Sequence, residues 1–141
     1  MIAVLNGPNL NQLGQREQSI YGNFSLNDIE ESLRKMADNT ALLFFQSNHE
    51  GDFIDFIHTL PEKNCKGIII NAGAWTHTSI ALRDALLAVN LPFIEVHISN
   101  VYQREDFRHR SFLSDKAVGV IAGLGLQSYH FALNYFKEDN S

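Results

Sequence analysis

Gly67-Ile68-Ile69-Ile70-Asn71-Ala72-Gly73 is the stretch on which the fold turns. Three consecutive isoleucines run without a polar interruption and then stop at an asparagine and a glycine. A strand with one face in water alternates apolar and polar residues, whereas a continuous β-branched run belongs to a strand covered on both faces. Similar short runs lie on either side of it: Ile2–Leu5, Ala41–Phe45, Pro92–Val96 and Val118–Ala122. Together they predict five strands of a parallel sheet.

Helical spacing fills the intervals. Ser25 is placed to cap a first helix with Asp28 three residues on, and Leu26, Ile29, Leu33, Met36 and Ala37 share one face. Phe53, Phe56, Ile57 and Leu60 mark a second, ended by Pro61. Ser79 to Val89 forms a third, with Ile80, Leu82, Leu86, Leu87 and Val89 giving a broad apolar side. The last runs from Gln127 to Lys137 and carries Tyr129, Phe131, Leu133, Tyr135 and Phe136 on more than one face, which predicts a subunit contact. Strands alternating with helices predict one doubly wound, three-layer α/β domain over residues 1–141, with the flavodoxin-like strand order 2-1-3-4-5. Gly7–Asn23 and Ser99–Ser114 do not fit this alternation, and loops of that length in a compact domain carry function or move.

Composition narrows the function. The chain has 141 residues, 45% of them hydrophobic, enough to bury a sizeable core. Only 19% are charged, and 13 asparagines take part of their place, so an oligomer hiding some surface is expected. A net charge of -5 argues against a general nucleic-acid binder, which needs a basic face, but leaves room for a small anionic substrate met by a few arginines. Cys65 is the single cysteine, which excludes an internal disulfide and fits a reducing, cytoplasmic setting. The weakly polar run Ala117–Leu126 is too short and too glycine-rich to span a bilayer, and Asn6-Gly7-Pro8-Asn9 interrupts any signal-peptide core.

In an open parallel sheet, ligands bind beyond the carboxyl ends of the strands. Those ends carry Asn6-Gly7-Pro8-Asn9, then Asn71-Ala72-Gly73 followed by His77, then Glu95, His97, Ser99 and Asn100. Glu95 and His97 stand two apart on a strand and point the same way. A carboxylate beside an imidazole fixes its tautomer and suits it to acid–base work; a buried pair that merely satisfies itself has the same spacing. Arg16 and Tyr21 lie in the first long loop between Gly14 and Gly22. A loop tyrosine serves packing, or, beside a guanidinium that favours its anion, serves as a base delivered by a closing lid. Arg104, Arg108, His109 and Arg110 read as a solvated mixed-charge face, within which only Arg108, between Phe107 and Phe112, looks placed.

Several chemistries find no support. Lys35, Lys63, Lys66, Lys116 and Lys137 all lie away from the carboxyl strand ends, so Schiff-base catalysis is not expected. The histidines are scattered without metal-ligand spacing, and no metal is expected. Gly123-Leu124-Gly125 lacks the third glycine of a dinucleotide fingerprint and reads as tight packing at a strand–helix turn. What remains is cofactor-free acid–base work on a small polar molecule. A flavin- or nucleotide-binding module and a metal-dependent hydrolase built on Glu95, His77 and His97 are the competing readings.

Leu5–Asn11, Leu13–Glu17, Tyr21-Gly22, Gln46–Asn48, Glu50-Gly51, Asn71–Ala74, Thr76–Ser79, Glu95–Asn100, Arg104–Arg108 and Gly123–Gly125 occur in one order along nearly the whole chain. In that combination the sequence resembles the type II 3-dehydroquinate dehydratase family. The resemblance implies a shikimate-pathway lyase that converts 3-dehydroquinate to 3-dehydroshikimate by anti elimination through an enolate-like intermediate, without metal or cofactor. It implies Tyr21 as the base at C2, Arg16 keeping that base ionised, and Asn9 holding a water against the enolate. It implies His97, oriented by Glu95, as the acid for the departing C1 hydroxyl. Asn71, His77 and Arg108 are implied to bind substrate hydroxyls, and Ile98 and Ser99 the carboxylate. Asp84 matches the position that reaches a neighbouring subunit's site, in dodecamers built from trimers. Gln12, Gln18, Trp75 and Arg110 depart from common family residues, and Gln18 in place of proline implies a less stiff lid.

Overall fold

The apolar runs are strands in a computed structural model that describes residues 1–139. They are β1 (Ile2–Asn6), β2 (Leu42–Gln46), β3 (Gly67–Asn71), β4 (Phe93–His97) and β5 (Gly119–Ala122). All neighbours pair in parallel, in the order β2-β1-β3-β4-β5, as the alternation predicts. The three inner strands are buried along their whole length. Four strands run one residue past the apolar pattern, closing on Asn6, Gln46, Asn71 and His97. An apolar run ends where side chains turn polar, but the backbone ladder continues. The first three of these end residues lie in register, with Asn6 opposite both Gln46 and Asn71.

The helices are α1 (Gln18–Tyr21), α2 (Leu26–Ala37), α3 (Glu50–His58), α4 (Ile80–Val89) and α5 (Gln127–Asp139). Alternate strand residues feed two cores. Ile2, Val4, Ile69, Ile94 and Val96 pack with Ile29 and Leu33 of α2 and with Tyr129, Leu133 and Phe136 of α5. Ala3, Leu5, Ile68, Ile70 and Phe93 pack with Phe53 and Ile57 of α3 and with Leu82 and Leu86 of α4. This is the period-two geometry of a strand expressed as a three-layer sandwich.

Local signals start these helices. Ser25 and Asp28 form a reciprocal capping box, each side chain accepting from the other's backbone N–H, at 3.1 and 2.9 Å. The Ser79 hydroxyl accepts from the Leu82 N–H at the head of α4. Pro61 ends no helix directly: α3 stops at His58, and the proline opens a 3-10 turn, Pro61–Lys63, where its missing N–H costs nothing.

The expectation for one helix face is corrected, and that for another is resolved into its two sides. The apolar side of α4 is narrower than its pattern, because Ile80 and Leu87 are exposed while Leu82, Ala85 and Leu86 are buried. On α5, Tyr129, Leu133 and Phe136 are core residues, and only Phe131 and Tyr135 face outward. The aromatic run served the sheet first. The two long segments hold short elements: a 3-10 turn at Leu10–Gln12 and α1 in the first, 3-10 turns at Val101–Gln103 and Asp106–Arg108 in the second.

Candidate active site

At the carboxyl edge the β1 and β3 turns come together so closely that a side chain on Gly7 would meet the Ala72 carbonyl oxygen at 2.4 Å. Only glycine permits that approach. Gln46 donates to the Gly7 carbonyl, and the Asn48 side chain accepts from the Asn9 N–H at 2.9 Å. Asn9 itself takes a left-handed conformation, φ 69°, which asparagine tolerates better than other side chains. The turn is thus braced from β2, and Asn9 lines a cavity of about 90 Å³.

Arg16, Tyr21, Asn71, His77, His97, Ile98, Ser99 and Arg108 line the same cavity. So does Arg104, which sequence reasoning left in a solvated charge run. The lining holds three arginines and no carboxylate, in a chain of net charge -5. That local excess of positive charge selects an anion. Among the described residues, no cluster of three or more His, Cys, Asp or Glu side chains could hold a metal ion.

Tyr21 closes α1 and is buried, with the Arg16 guanidinium carbon 3.8 Å and that of Arg104 5.0 Å from the centroid of its ring. Arg104 also donates to the Ser99 hydroxyl at 3.3 Å, while its buried Nε has no hydrogen-bond partner. Two guanidiniums thus lie against one phenol ring. Gln18, the first residue of α1, donates to the Gly14 carbonyl at 2.7 Å. This bond ties the loop across Arg16.

Beneath the cavity, His97 Nε2 lies 2.6 Å from Glu95 Oε2, both side chains on one face of β4 as their spacing predicts. The carboxylate can only accept, so Nε2 carries the proton and Nδ1 is left without a protein partner. Glu95 itself does not line the cavity but sits behind His97, where Ser111 and Ser114 donate to its other oxygen at 2.8 and 2.7 Å. Burial alone would push this carboxyl up; the bonds from His97, Ser114 and Ser111 outweigh it and hold it below the ordinary carboxylate range.

His77 stacks near His97, ring centroids 6.2 Å apart, and donates from Nδ1 to the Arg110 carbonyl at 2.7 Å. Burial holds it below the ordinary imidazole range, so its Nε2 is an acceptor near neutrality. Asn71 is positioned by α5: its amide donates to the Tyr129 hydroxyl at 2.9 Å, which donates in turn to Asn6 at 2.6 Å. The Asn71 carbonyl accepts from the Gly73 N–H. Gly123 and Gly125 hold the strand–helix turn through bonds to the His97 and Ile98 carbonyls, the tight packing expected of them. Asp84 is the one expected site residue that is not drawn in; it is exposed on α4 and does not line the cavity.

Over residues 1–137 the sequence matches the family model for dehydroquinase class II. A 3-dehydroquinate dehydratase of Prochlorococcus marinus (strain MIT 9215) is 56% identical over 134 residues, 94% of this chain and 90% of its own length. One from Acinetobacter baylyi is 57% identical over 136 residues, covering 95% and 91%. The chain belongs to the type II dehydroquinase family. The crystal structure of the type II dehydroquinase from Butyrivibrio crossotus superposes with a TM-score of 0.91 at 44% identity, covering 96% of each chain. That from Propionibacterium acnes superposes with a TM-score of 0.93 at 41% identity, covering 98% of this chain and 96% of the other. For a type II dehydroquinase, two of the departures here lie away from the cavity wall, Trp75 packing edge-on against Phe53 and Gln12 being exposed, whereas Arg110 meets it through the backbone carbonyl that accepts from His77.

Proposed function

We propose that the chain, as one catalytic domain over residues 1–141, removes water from 3-dehydroquinate to give 3-dehydroshikimate in the shikimate pathway. The observation that carries this reading is a buried tyrosine with two arginines against its ring, lining the same cavity as a Glu-buttressed histidine, with no carboxylate in that lining. A ketone makes its α-proton acidic enough for a phenolate, and a hydroxide leaving group needs an acid. A base and an acid lining one cavity suit an elimination.

In the proposed anti elimination, the Tyr21 phenolate takes the C2 proton, with Arg16 and Arg104 favouring its charge. Negative charge passes to the ketone oxygen, where a water held by Asn9 stabilises the enolate. His97, carrying a proton on Nδ1 as well as the Nε2–H that bonds Glu95, then gives the Nδ1 proton to the C1 hydroxyl, which leaves as water. The Ser99 hydroxyl and the Ile98 and Ser99 backbone hold the substrate carboxylate; Asn71, His77 and Arg108 bind its hydroxyls. The chemistry uses no cofactor.

Ile80, Asp84 and Leu87 stand at i, i+4 and i+7 on α4, two exposed apolar side chains flanking an exposed carboxylate. This face supports a homo-oligomer in which Asp84 meets the cationic site of a neighbour, built as trimers assembled into a dodecamer. None of the described helices is long and apolar enough to cross a membrane, and with the single unpaired Cys65 this supports a cytoplasmic enzyme. Mixing the protein with 3-dehydroquinate and following the ultraviolet absorbance of the conjugated enone tests the activity. A flat trace would overturn it.

A further inference from the structure

Behind the Glu95–His97 pair lies a second cavity of about 130 Å³, also lined by Ser111 and Ser114. Glu95 accepts three hydrogen bonds there, one from His97 on Oε2 and two from the serine hydroxyls on Oε1. The serines are not interchangeable. Ser111 Oγ accepts from the Leu113 N–H at 2.9 Å and the Ser114 N–H at 3.1 Å. Both of its lone pairs are then occupied, and its own hydrogen can only be donated. A donor locked in this way demands an acceptor opposite, which an ionised carboxylate supplies and the O–H of a carboxylic acid does not.

The turn that presents these serines is held from outside. The Phe112 N–H donates to the Thr76 carbonyl at 2.9 Å, and Arg83 of α4 donates to the Phe112 carbonyl at 2.7 Å. Arg83 also pairs with Asp115, Nη2 to Oδ2 at 3.0 Å, and the Leu113 side chain is fully buried. We propose that Ser111 and Ser114 are positioning residues for the reaction, setting the charge and orientation of Glu95 and, through it, the proton held by His97. This rests on His97 being the acid of the proposed function. His77 and Arg108 face the same cavity, with Tyr102 and His109 at its rim; they are the other titratable and charged groups around the pair. The cavity has room for water, so the two hydroxyls keep the carboxylate on fixed donors instead of mobile ones.

Ser114→Ala is the decisive variant, because the Ser114 hydroxyl bonds Glu95 and has no lock of its own. Removing a donor makes the carboxylate hold a proton more tightly, so the pair stays protonated to higher pH but keeps that proton less on the imidazole. The alkaline limb of kcat should therefore move to higher pH while kcat falls about tenfold, the worth of one charge-assisted hydrogen bond. KM should stay within about twofold, because no group touching substrate is altered. Ser114→Thr, which restores a hydroxyl, should restore both kcat and the limb. Ser111→Ala should show the same shift with a larger loss; if that variant does not fold, Ser114→Ala decides alone. An unmoved alkaline limb in Ser114→Ala, or no recovery in Ser114→Thr, overturns the proposal. His97→Ala run alongside separates the two readings. Full dehydration by that variant refutes His97 as acid, whereas loss there with wild-type behaviour in both serine variants refutes only the serine seat.

Discussion

The guanidinium carbon of Arg16 sits 3.8 Å from the centroid of the Tyr21 ring, over a side chain only 7% exposed. The contact places a guanidinium against the side chain proposed as the base. Tyr21→Phe keeps the ring and its packing against Arg16 and deletes only the hydroxyl. Dehydration should fall by at least about 100-fold, the lower end of what a positioned base supplies, with an unchanged circular dichroism spectrum. A variant turning over at near wild-type kcat would remove Tyr21 as the base.

His97 acts after the C2 proton has gone, so the two half-steps can be pulled apart. In His97→Ala the base and both of its arginines remain, and exchange of the substrate C2 proton with solvent deuterium should persist. Release of the enone should drop about 100-fold or more. Equal loss, or equal retention, of exchange and dehydration contradicts the division of labour.

The layers were legible because buried parallel strands write themselves as unbroken β-branched runs, as in Gly67–Asn71, and the polar strand ends pointed to the right edge of the sheet. The Glu95–His97 pairing was legible because strand spacing alone sets it. Arg104 was not, because a run of mixed charge carries no record of which side chain turns inward to meet Tyr21. Ser111 and Ser114 were silent for a related reason: they reach Glu95 across 16 and 19 positions, and a loop serine has no periodicity to betray a partner. Tyr129 was read only as one aromatic of a helix apolar on more than one face, since a helical pattern counts the ring and not the hydroxyl that joins Asn6 to Asn71.

That hydroxyl gives a stability test. Burial pushes the Tyr129 phenol above its usual range, so it stays a neutral donor and acceptor. Tyr129→Phe leaves an Asn6 oxygen and an Asn71 N–H unpaired in a buried site, which should cost about 1–3 kcal/mol in urea unfolding. Because Asn71 lines the cavity, KM should rise more than kcat falls. Stability within about 0.5 kcal/mol of wild type would mean the network bears no weight.

Imine chemistry is separable from this mechanism by a trap. None of the lysines lines the cavity, and its cations are guanidiniums, which do not form Schiff bases. Borohydride added with 3-dehydroquinate should leave activity intact once excess reagent is removed. Inactivation accompanied by a lysine adduct in the mass spectrum would contradict the acid–base reading.

Glu95 links the site to the acid stability of the fold. Its carboxyl is held below the ordinary value of 4.5 in the folded chain, so near that pH the unfolded chain binds more protons than the folded one. The stabilisation is therefore fully present above about 4.5 and is lost as the pH falls through the lower, folded value. Glu95→Gln has no charge to lose there. The gap in unfolding free energy between wild type and Glu95→Gln should shrink as the pH falls below the ordinary carboxylate value. The same variant takes the negative charge away from His97, so the alkaline limb of kcat should move to lower pH, opposite to the shift expected for Ser114→Ala. A stability gap independent of pH, or an alkaline limb moving the same way in both variants, would show that Glu95 does not act as the ionised partner of His97.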